Sequence, residues 1–230
     1  MVKGITANVG FMKNNKPLLL LSALGLSIVM AGCSVTPSSV GKPAPIASWQ
    51  GNANSTQLAR YTRDAINQHG KGLLQAVPND IETYCPNYED ASRQERLAFW
   101  SGFISSLSHF ESNHKSDVWY QERFNDAKGN PVVSRGLLQI SIESGNGYGC
   151  GLKNQKQLHD PKTNIPCGVR ILNRWVGQRD QVISDREGWW IFEGSWLGAA
   201  RYWSPFRSET KKAKIAQATR NQPYCMSKRG

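Results

Sequence analysis

A single carboxylate ends an otherwise apolar helical stripe near the middle of the 230-residue chain. Its members recur every three or four residues, which places them on one face of a helix; they are Leu97, Trp100, Ile104, Leu107 and Glu111. Burial disfavours the charged form of a carboxyl group, so the pKa of Glu111 is expected to be raised. A carboxyl group that keeps its proton near neutral pH suits a general acid. The alternative is a glutamate at a helix end that turns to solvent.

Three further segments follow this helix along the chain. The first is Ser134-Arg-Gly-Leu-Leu-Gln-Ile-Ser141, the second runs from Leu158 to Gly168 and contains Asn-Ile, and the third is Ala200-Arg-Tyr-Trp203. Together with Glu111-Ser112 they resemble the motifs of the soluble-type lytic transglycosylases, in which a helix ends in Glu-Ser and a Gly-Leu-Met-Gln-Ile segment follows. The resemblance covers residues 90–205. It departs from the family at Trp203, where the fourth motif usually has Asn.

The resemblance implies an α+β, mostly helical, lysozyme-like domain with a small loop or β insertion. It implies a peptidoglycan lytic transglycosylase that cleaves the MurNAc–GlcNAc β-1,4 bond and forms 1,6-anhydro-MurNAc, without a metal or other cofactor. Glu111 then matches the catalytic acid/base, and the matching substrate-binding residues are Ser112, Ser134, Gln139 and Tyr202. Ser112 would also help to fix the turn after the helix. From the residues alone, Ser134 is alternatively a helix N-cap, and Tyr202 a core aromatic residue.

Most glycosidases place a second carboxylate beside the acid, whereas the resembling family does without one. The polar stretch after Glu111 contains Asp117, Glu122 and Asp126, but none lies in a matched segment, so each is predicted to be a solvated charge. If Asp126 reached the cleft, a lysozyme-type peptidoglycan hydrolase would become the better interpretation. A further alternative is a catalytically idle wall-binding lipoprotein.

Local patterns predict the elements that position these residues. The capping box Ser92-x-x-Glu95 predicts the start of the helix that carries Glu111. Residues 114–133 are polar and contain Asn, Gly and Pro, which predicts a loop or a small hairpin. Residues 164–184 and 189–203 have helical spacing and are rich in aromatic residues. We therefore predict a helix in each, with tryptophans that either stack on sugars or pack in the core.

The N-terminus has the pattern of an export signal. Three lysines precede an apolar run over residues 18–31, which is too short to span the ~30 Å hydrocarbon core of a bilayer. The following Met-Ala-Gly-Cys33 resembles a bacterial lipobox, which implies a lipidated Cys33. Because Ser34 follows the cysteine, the resemblance favours the periplasmic face of the outer membrane. The predicted organisation is a signal peptide over 1–32, a Ser- and Pro-rich flexible tether over 33–57, and the transglycosylase domain over 58–230.

The amino-acid composition restricts the class of partner that this protein is expected to bind. The chain is 39% hydrophobic and 20% charged, which excludes a disordered chain and a multi-span membrane protein. Its net charge of +11 fits an acidic partner. Export argues against nucleic acid, so we expect peptidoglycan glycan strands as the partner, and the membrane through the lipid anchor. The oligomeric state is not predicted.

Four cysteines remain once Cys33 is lipidated. An even set in an oxidising compartment predicts two disulfides, and three pairings are possible. The short separation favours Cys150 with Cys167, which leaves Cys85 with Cys225. A zinc site is the alternative, but the chain has no CxxC spacing and its histidines are scattered.

Overall fold

The computed structural model describes residue 49 and residues 51–188 and 194–226. These residues form a helical body with two small antiparallel sheets, which confirms the predicted α+β, mostly helical class. No helix within these ranges is long and apolar enough to cross a membrane. The predicted signal peptide, the lipidated Cys33 and the tether up to residue 48 lie outside the described residues.

The elements follow one another closely along the chain. The α-helices of the described ranges are α1 Ser55–His69, α2 Lys71–Gln75, α3 Ile81–Tyr84, α4 Arg93–Ser112, α5 Ile142–Gly147, α6 Pro161–Leu172, α7 Glu209–Arg220 and α8 Pro223–Met226. The strands are β1 Trp119–Asn125, β2 Pro131–Arg135, β3 Ser184–Arg186 and β4 Trp196–Gly198. Short 3-10 helices span Gln155–His159, Ala199–Arg201 and Ser204–Arg207, and a π-helix spans Asn173–Asp180.

Helix α4 is the central element of the core. It begins with the predicted capping box, in which the Ser92 hydroxyl accepts from the Glu95 backbone and the Glu95 carboxylate accepts from the Ser92 backbone. The four apolar members of its stripe are buried. Trp100 is fully buried, and its indole N–H donates to the Leu73 carbonyl over 2.9 Å. Helices α1 and α7 pack against α4, so the position of its last turn is set by the core.

The polar stretch after α4 forms the predicted small hairpin. Strands β1 and β2 pair antiparallel, with Tyr120 opposite Ser134. The Asp126 carboxylate accepts from the backbone N–H groups of Lys128 and Asn130, over 2.9 and 2.8 Å, and so closes the turn between the strands. This use of a short acidic side chain is a common way of stabilising a tight turn.

Two helix predictions near the C-terminal half require correction. The predicted helix over 164–184 begins earlier, at Pro161, becomes a π-helix after Leu172, and ends before β3. The described part of 189–203 is not one helix: it contains β4, paired with β3, and then a 3-10 turn. The reason lies at Gly198, whose φ is +60° and where a Cβ would stand 2.2 Å from the Val182 carbonyl oxygen. Residues 189–193 lie outside the described residues.

The folded part starts earlier than the predicted boundary at residue 58. Helix α1 begins at Ser55, and the Trp49 side chain is fully buried, with its ring edge-on to His114 at 5.4 Å. The predicted tether is therefore too long at its C-terminal end, because one large apolar side chain outweighs the polar composition around it.

Both predicted disulfides are confirmed. Cys85 is bonded to Cys225, 140 residues away, and Cys150 to Cys167, 17 residues away. The first holds the C-terminal helix α8 to the loop after α3, and the second holds the loop after α5 to α6.

Candidate functional site

Glu111 lies in the last turn of α4, where the chain leaves the helix sharply. Asn113 and His114, two and three residues after Glu111, both adopt left-handed conformations, with φ of +52° and +61°. Burial raises the pKa of Glu111 from 4.5 to about 7. The charge of Lys211 lowers this pKa, the charge of Glu122 raises it, and the charge of Arg207 lowers it. Glu111 therefore keeps its proton close to neutral pH.

Glu122 faces this site from the β1–β2 hairpin. It is the one partly buried residue of β1, whose other residues are exposed. Its Oε1 accepts a hydrogen bond of 2.6 Å from the hydroxyl of Ser134 on β2. The prediction that Glu122 is a solvated charge is therefore wrong, and so is the alternative of Ser134 as a helix N-cap. The hairpin register is the cause, since it places Ser134 and Glu122 on the same face of the sheet.

Two cations stand near Glu111 from the C-terminal part of the chain. Lys211 lies in the first turn of α7, and Arg207 lies just before that helix. The Arg207 guanidinium is fixed by donating to the carbonyls of Ala200 and Arg201, over 2.7 and 2.9 Å. The site thus combines two carboxylates with two cations, and the other three charges all act on the pKa of Glu111.

The segment Gly136–Ile140 is held by residues from the other three matched motifs. The Ser112 hydroxyl donates to the Leu137 carbonyl over 2.9 Å. The Trp203 indole N–H donates to the Leu138 carbonyl over 2.9 Å. The four motifs therefore meet in one place, and the buried Ser112 acts as the predicted support of the turn.

Asn164 supplies the third support for this segment. Its Oδ1 accepts from the Leu138 N–H over 2.9 Å, and its Nδ2 donates to the carbonyls of Arg135 and Leu158, each over 3.0 Å. Gly136 must be glycine at this point, because its φ is +73° and a Cβ would lie 2.0 Å from the Leu158 carbonyl oxygen. Trp203, which is buried and donates to the Leu138 carbonyl, packs in the core.

Gln139 and Tyr202 complete the set of predicted residues. Gln139 has a left-handed φ of +44°, and its side-chain amide donates to the Gly136 carbonyl over 2.9 Å. Tyr202 is partly buried, and its ring packs against Tyr148 at a centroid distance of 6.1 Å. Burial raises the pKa of the Tyr202 phenol, whose hydroxyl is hydrogen-bonded to the Ser144 side chain and which is close enough to sense the charge of Glu111.

The remaining acidic candidates do not join this group. The Asp126 carboxylate is used inside the hairpin turn, and Asp117 is exposed. Within the described ranges, no three His, Cys, Asp or Glu side chains group closely enough to hold a metal ion. Sequence reasoning missed Glu122 and Lys211 because their relation to Glu111 depends on the hairpin register and on helix packing. Asn164, in contrast, stood in a matched segment.

No protein-family model and no curated protein matches the chain. Solved structures of the Bdellovibrio protein Bd0314 DslA are similar to it. The wild-type protein is 43% identical, with a TM-score of 0.70 over 76% of this chain and 94% of that chain. Two variants, each with one glutamate replaced by glutamine, are 41% and 42% identical, with TM-scores of 0.73 and 0.72. They cover 80% and 78% of this chain and 99% and 97% of that protein, and their exchanged glutamates are eleven residues apart. At this identity and coverage, the chain belongs to the same family as Bd0314 DslA.

Proposed function

We propose that this protein cleaves the β-1,4 bond between MurNAc and GlcNAc in peptidoglycan, with Glu111 as the general acid and Glu122 as a second carboxylate. The observation that carries the proposal is the environment of Glu111. Burial raises its pKa to about 7, and Glu122 stands close enough to add to that effect. Two carboxyl groups in different environments are the usual arrangement of a glycosidase.

In the proposed first step, protonated Glu111 donates its proton to the glycosidic oxygen, the bond between that oxygen and C1 of MurNAc breaks, and GlcNAc leaves with its hydroxyl. Positive charge then develops on C1 of the MurNAc ring, which the Glu122 carboxylate stabilises. The Ser134 hydroxyl holds that carboxylate in place with its 2.6 Å hydrogen bond. In the second step a water attacks C1 and loses a proton to the Glu111 carboxylate, which restores the acid form of Glu111 and completes the hydrolysis.

The DslA variants support the choice of these two residues. In that protein two glutamates eleven residues apart were each replaced by glutamine. In this chain Glu111 and Glu122 are the only two glutamates separated by eleven residues. The eleven-residue spacing and the effect of the Glu122 charge on the pKa of Glu111 both support treating these two glutamates as a pair.

The second candidate is the predicted lytic transglycosylase, which the four matched motifs favour. Its first step is the same, but the MurNAc 6-hydroxyl attacks C1 in place of water and closes a 1,6-anhydro ring. An intramolecular hydroxyl gains from its high effective concentration. The family in question has no second carboxylate, so the position of Glu122 favours hydrolysis.

Digestion of purified sacculi in heavy-oxygen water decides between the two. Hydrolysis places the heavy isotope at the reducing end of the released muropeptides, as read by mass spectrometry. Ring closure yields unlabelled anhydro ends, which are lighter by one water. The Glu111→Gln protein is the control for contaminating activity. Absence of any released muropeptide from the wild-type protein would contradict both candidates.

We further propose that the chain is an exported lipoprotein, anchored through Cys33 at the periplasmic face of the outer membrane. The lipobox-like residues 30–33 support this proposal, and the two disulfides suit an oxidising compartment. The Cys33→Ala protein is expected to lose palmitate labelling and to leave the membrane fraction. Continued labelling would contradict the lipobox interpretation.

A further inference from the structure

A basic groove lies beside the candidate site and is not used by the proposed chemistry. It has a volume of about 880 Å³. Its lining carries four groups able to bear positive charge and two aromatic rings, which are His69, Arg170, Arg174, Arg179, Tyr148 and Trp175. Among the residues that the structure describes, no acidic side chain lines it. Burial lowers the pKa of His69 and the charge of Arg170 lowers it further, as expected for a strongly positive environment.

The π-helix Asn173–Asp180 builds one side of this groove. Its hydrogen bonds join residues five apart, and Arg174 and Arg179, which are five apart, both line the groove. In a regular α-helix, residues five apart point in different directions. Helical segments of this kind are uncommon and are frequently found at functional sites.

The arginines are free to bind a ligand. None of Arg170, Arg174 and Arg179 forms an ion pair in the described part of the chain, whereas the neighbouring Arg201 is paired with Asp180 at 2.7 Å. The Arg179 guanidinium stacks on the Trp175 ring, 5.1 Å from its centroid. Stacking orients a guanidinium while its N–H edges stay available for hydrogen bonds.

The lining of the groove contacts Tyr202, one of the predicted substrate-binding residues. Ser144 and Tyr148 both line the groove. The Ser144 side chain is hydrogen-bonded to the Tyr202 hydroxyl, and the Tyr148 ring contacts the Tyr202 ring. Tyr148 also accepts a 2.6 Å hydrogen bond from the Trp175 indole, which joins the ring cluster to the π-helix. Tyr202, whose pKa the charge of Glu111 raises, therefore stands between the groove lining and Glu111.

We infer that this groove binds the carboxylates of the stem peptide that MurNAc carries, while the glycan strand occupies the site at Glu111. The inference rests on the proposed function. A single guanidinium group can donate two parallel hydrogen bonds to one carboxylate. The aromatic rings between them suit the carbon chains of such a peptide. The enzyme would then prefer peptide-bearing wall over bare glycan.

The test measures binding by calorimetry on the Glu111→Gln protein, which leaves the ligand intact. The probes are a disaccharide muropeptide with its stem peptide and the same disaccharide without it. We expect at least about tenfold tighter binding of the peptide-bearing probe. Adding Arg174→Ala and Arg179→Ala should abolish this preference and leave the affinity for the bare disaccharide unchanged. As the control, Arg93→Ala with Lys128→Ala removes two positive charges from exposed positions outside the groove. This variant should keep the preference for the peptide-bearing probe.

The double lysine variant, Arg174→Lys with Arg179→Lys, keeps the charge but loses the two-pronged geometry, and it should retain only part of the preference. Equal weakening for both probes, no weakening, or the same loss in the Arg93/Lys128 control would overturn the inference. Digestion of sacculi by the wild-type protein separates the two proposals. An arginine-dependent preference without cleavage would refute the function alone, and cleavage without that preference would refute the groove alone.

Discussion

The Ser134 hydroxyl donates a 2.6 Å hydrogen bond to Oε1 of Glu122 across the β1–β2 hairpin. Both side chains are shielded from solvent relative to the rest of β1. The bond therefore orients a carboxylate whose charge raises the pKa of Glu111. It also links the predicted Ser134 to a residue that the motifs do not contain.

Removing this hydroxyl should impair the proposed catalysis without preventing folding. A hydrogen bond to a charged group contributes about 1.5–3 kcal/mol. We expect Ser134→Ala to lower kcat by about tenfold to a hundredfold with a smaller change in KM. Ser134→Thr keeps the hydroxyl and suits a strand, so it should restore most of the rate. Equal rates for the alanine and wild-type proteins would show that Glu122 needs no such support.

Replacing either glutamate should remove most of the glycan-cleaving activity. Glu111→Gln cannot donate a proton, and general acid catalysis typically contributes about a hundredfold to ten-thousandfold. Glu122→Gln loses the second negative charge and should be similarly inactive if water is the nucleophile. Asp126→Asn, in the hairpin turn, is the matched control and should stay within a few-fold of wild type. A mild effect of Glu122→Gln, measured by muropeptide release, would favour ring closure.

The pH dependence of activity should follow the proton on Glu111. Because its pKa is about 7 and the protonated form is the active one, activity should fall as pH rises through this range. Lys211 lowers that pKa, so Lys211→Gln should move the alkaline limb of the pH–rate profile to higher pH. Lys214→Gln, at an exposed position one turn along the same helix, should leave the limb in place. The Lys211 effect should shrink as salt is added, because the side chain is exposed.

The same pKa predicts how stability depends on pH. The folded state holds a proton on Glu111 that the unfolded state releases, because the pKa rises from 4.5 to about 7 on folding. This contribution is fully present below about pH 4.5 and is lost as pH rises to about 7. Glu111→Gln cannot ionise, so it should match wild type near pH 4 and exceed it by up to about 3 kcal/mol near pH 8. Denaturant unfolding at both pH values measures the difference, and a constant difference would contradict the raised pKa.

Several features of this protein were readable from neighbouring residues. The three-and-four spacing from Leu97 to Glu111 identified the buried face of α4, and Ser92 with Glu95 identified its start. The polar stretch with Asn, Gly and Pro predicted the hairpin, and cysteine separation favoured the two disulfides that the structure contains. These features depend on local periodicity, capping and loop closure, which consecutive residues encode directly.

The composition of the candidate site was decided by tertiary structure. From the sequence, Glu122 is one of several charged residues in a polar stretch. The hairpin register places its side chain next to the Ser134 hydroxyl. The charge of Lys211 acts on Glu111 because α7 packs against α4. Arg174 and Arg179 line the basic groove from the π-helix that follows Leu172. Each of these relations joins residues through backbone pairing or helix packing, and neither residue type nor spacing along the chain specifies such a contact.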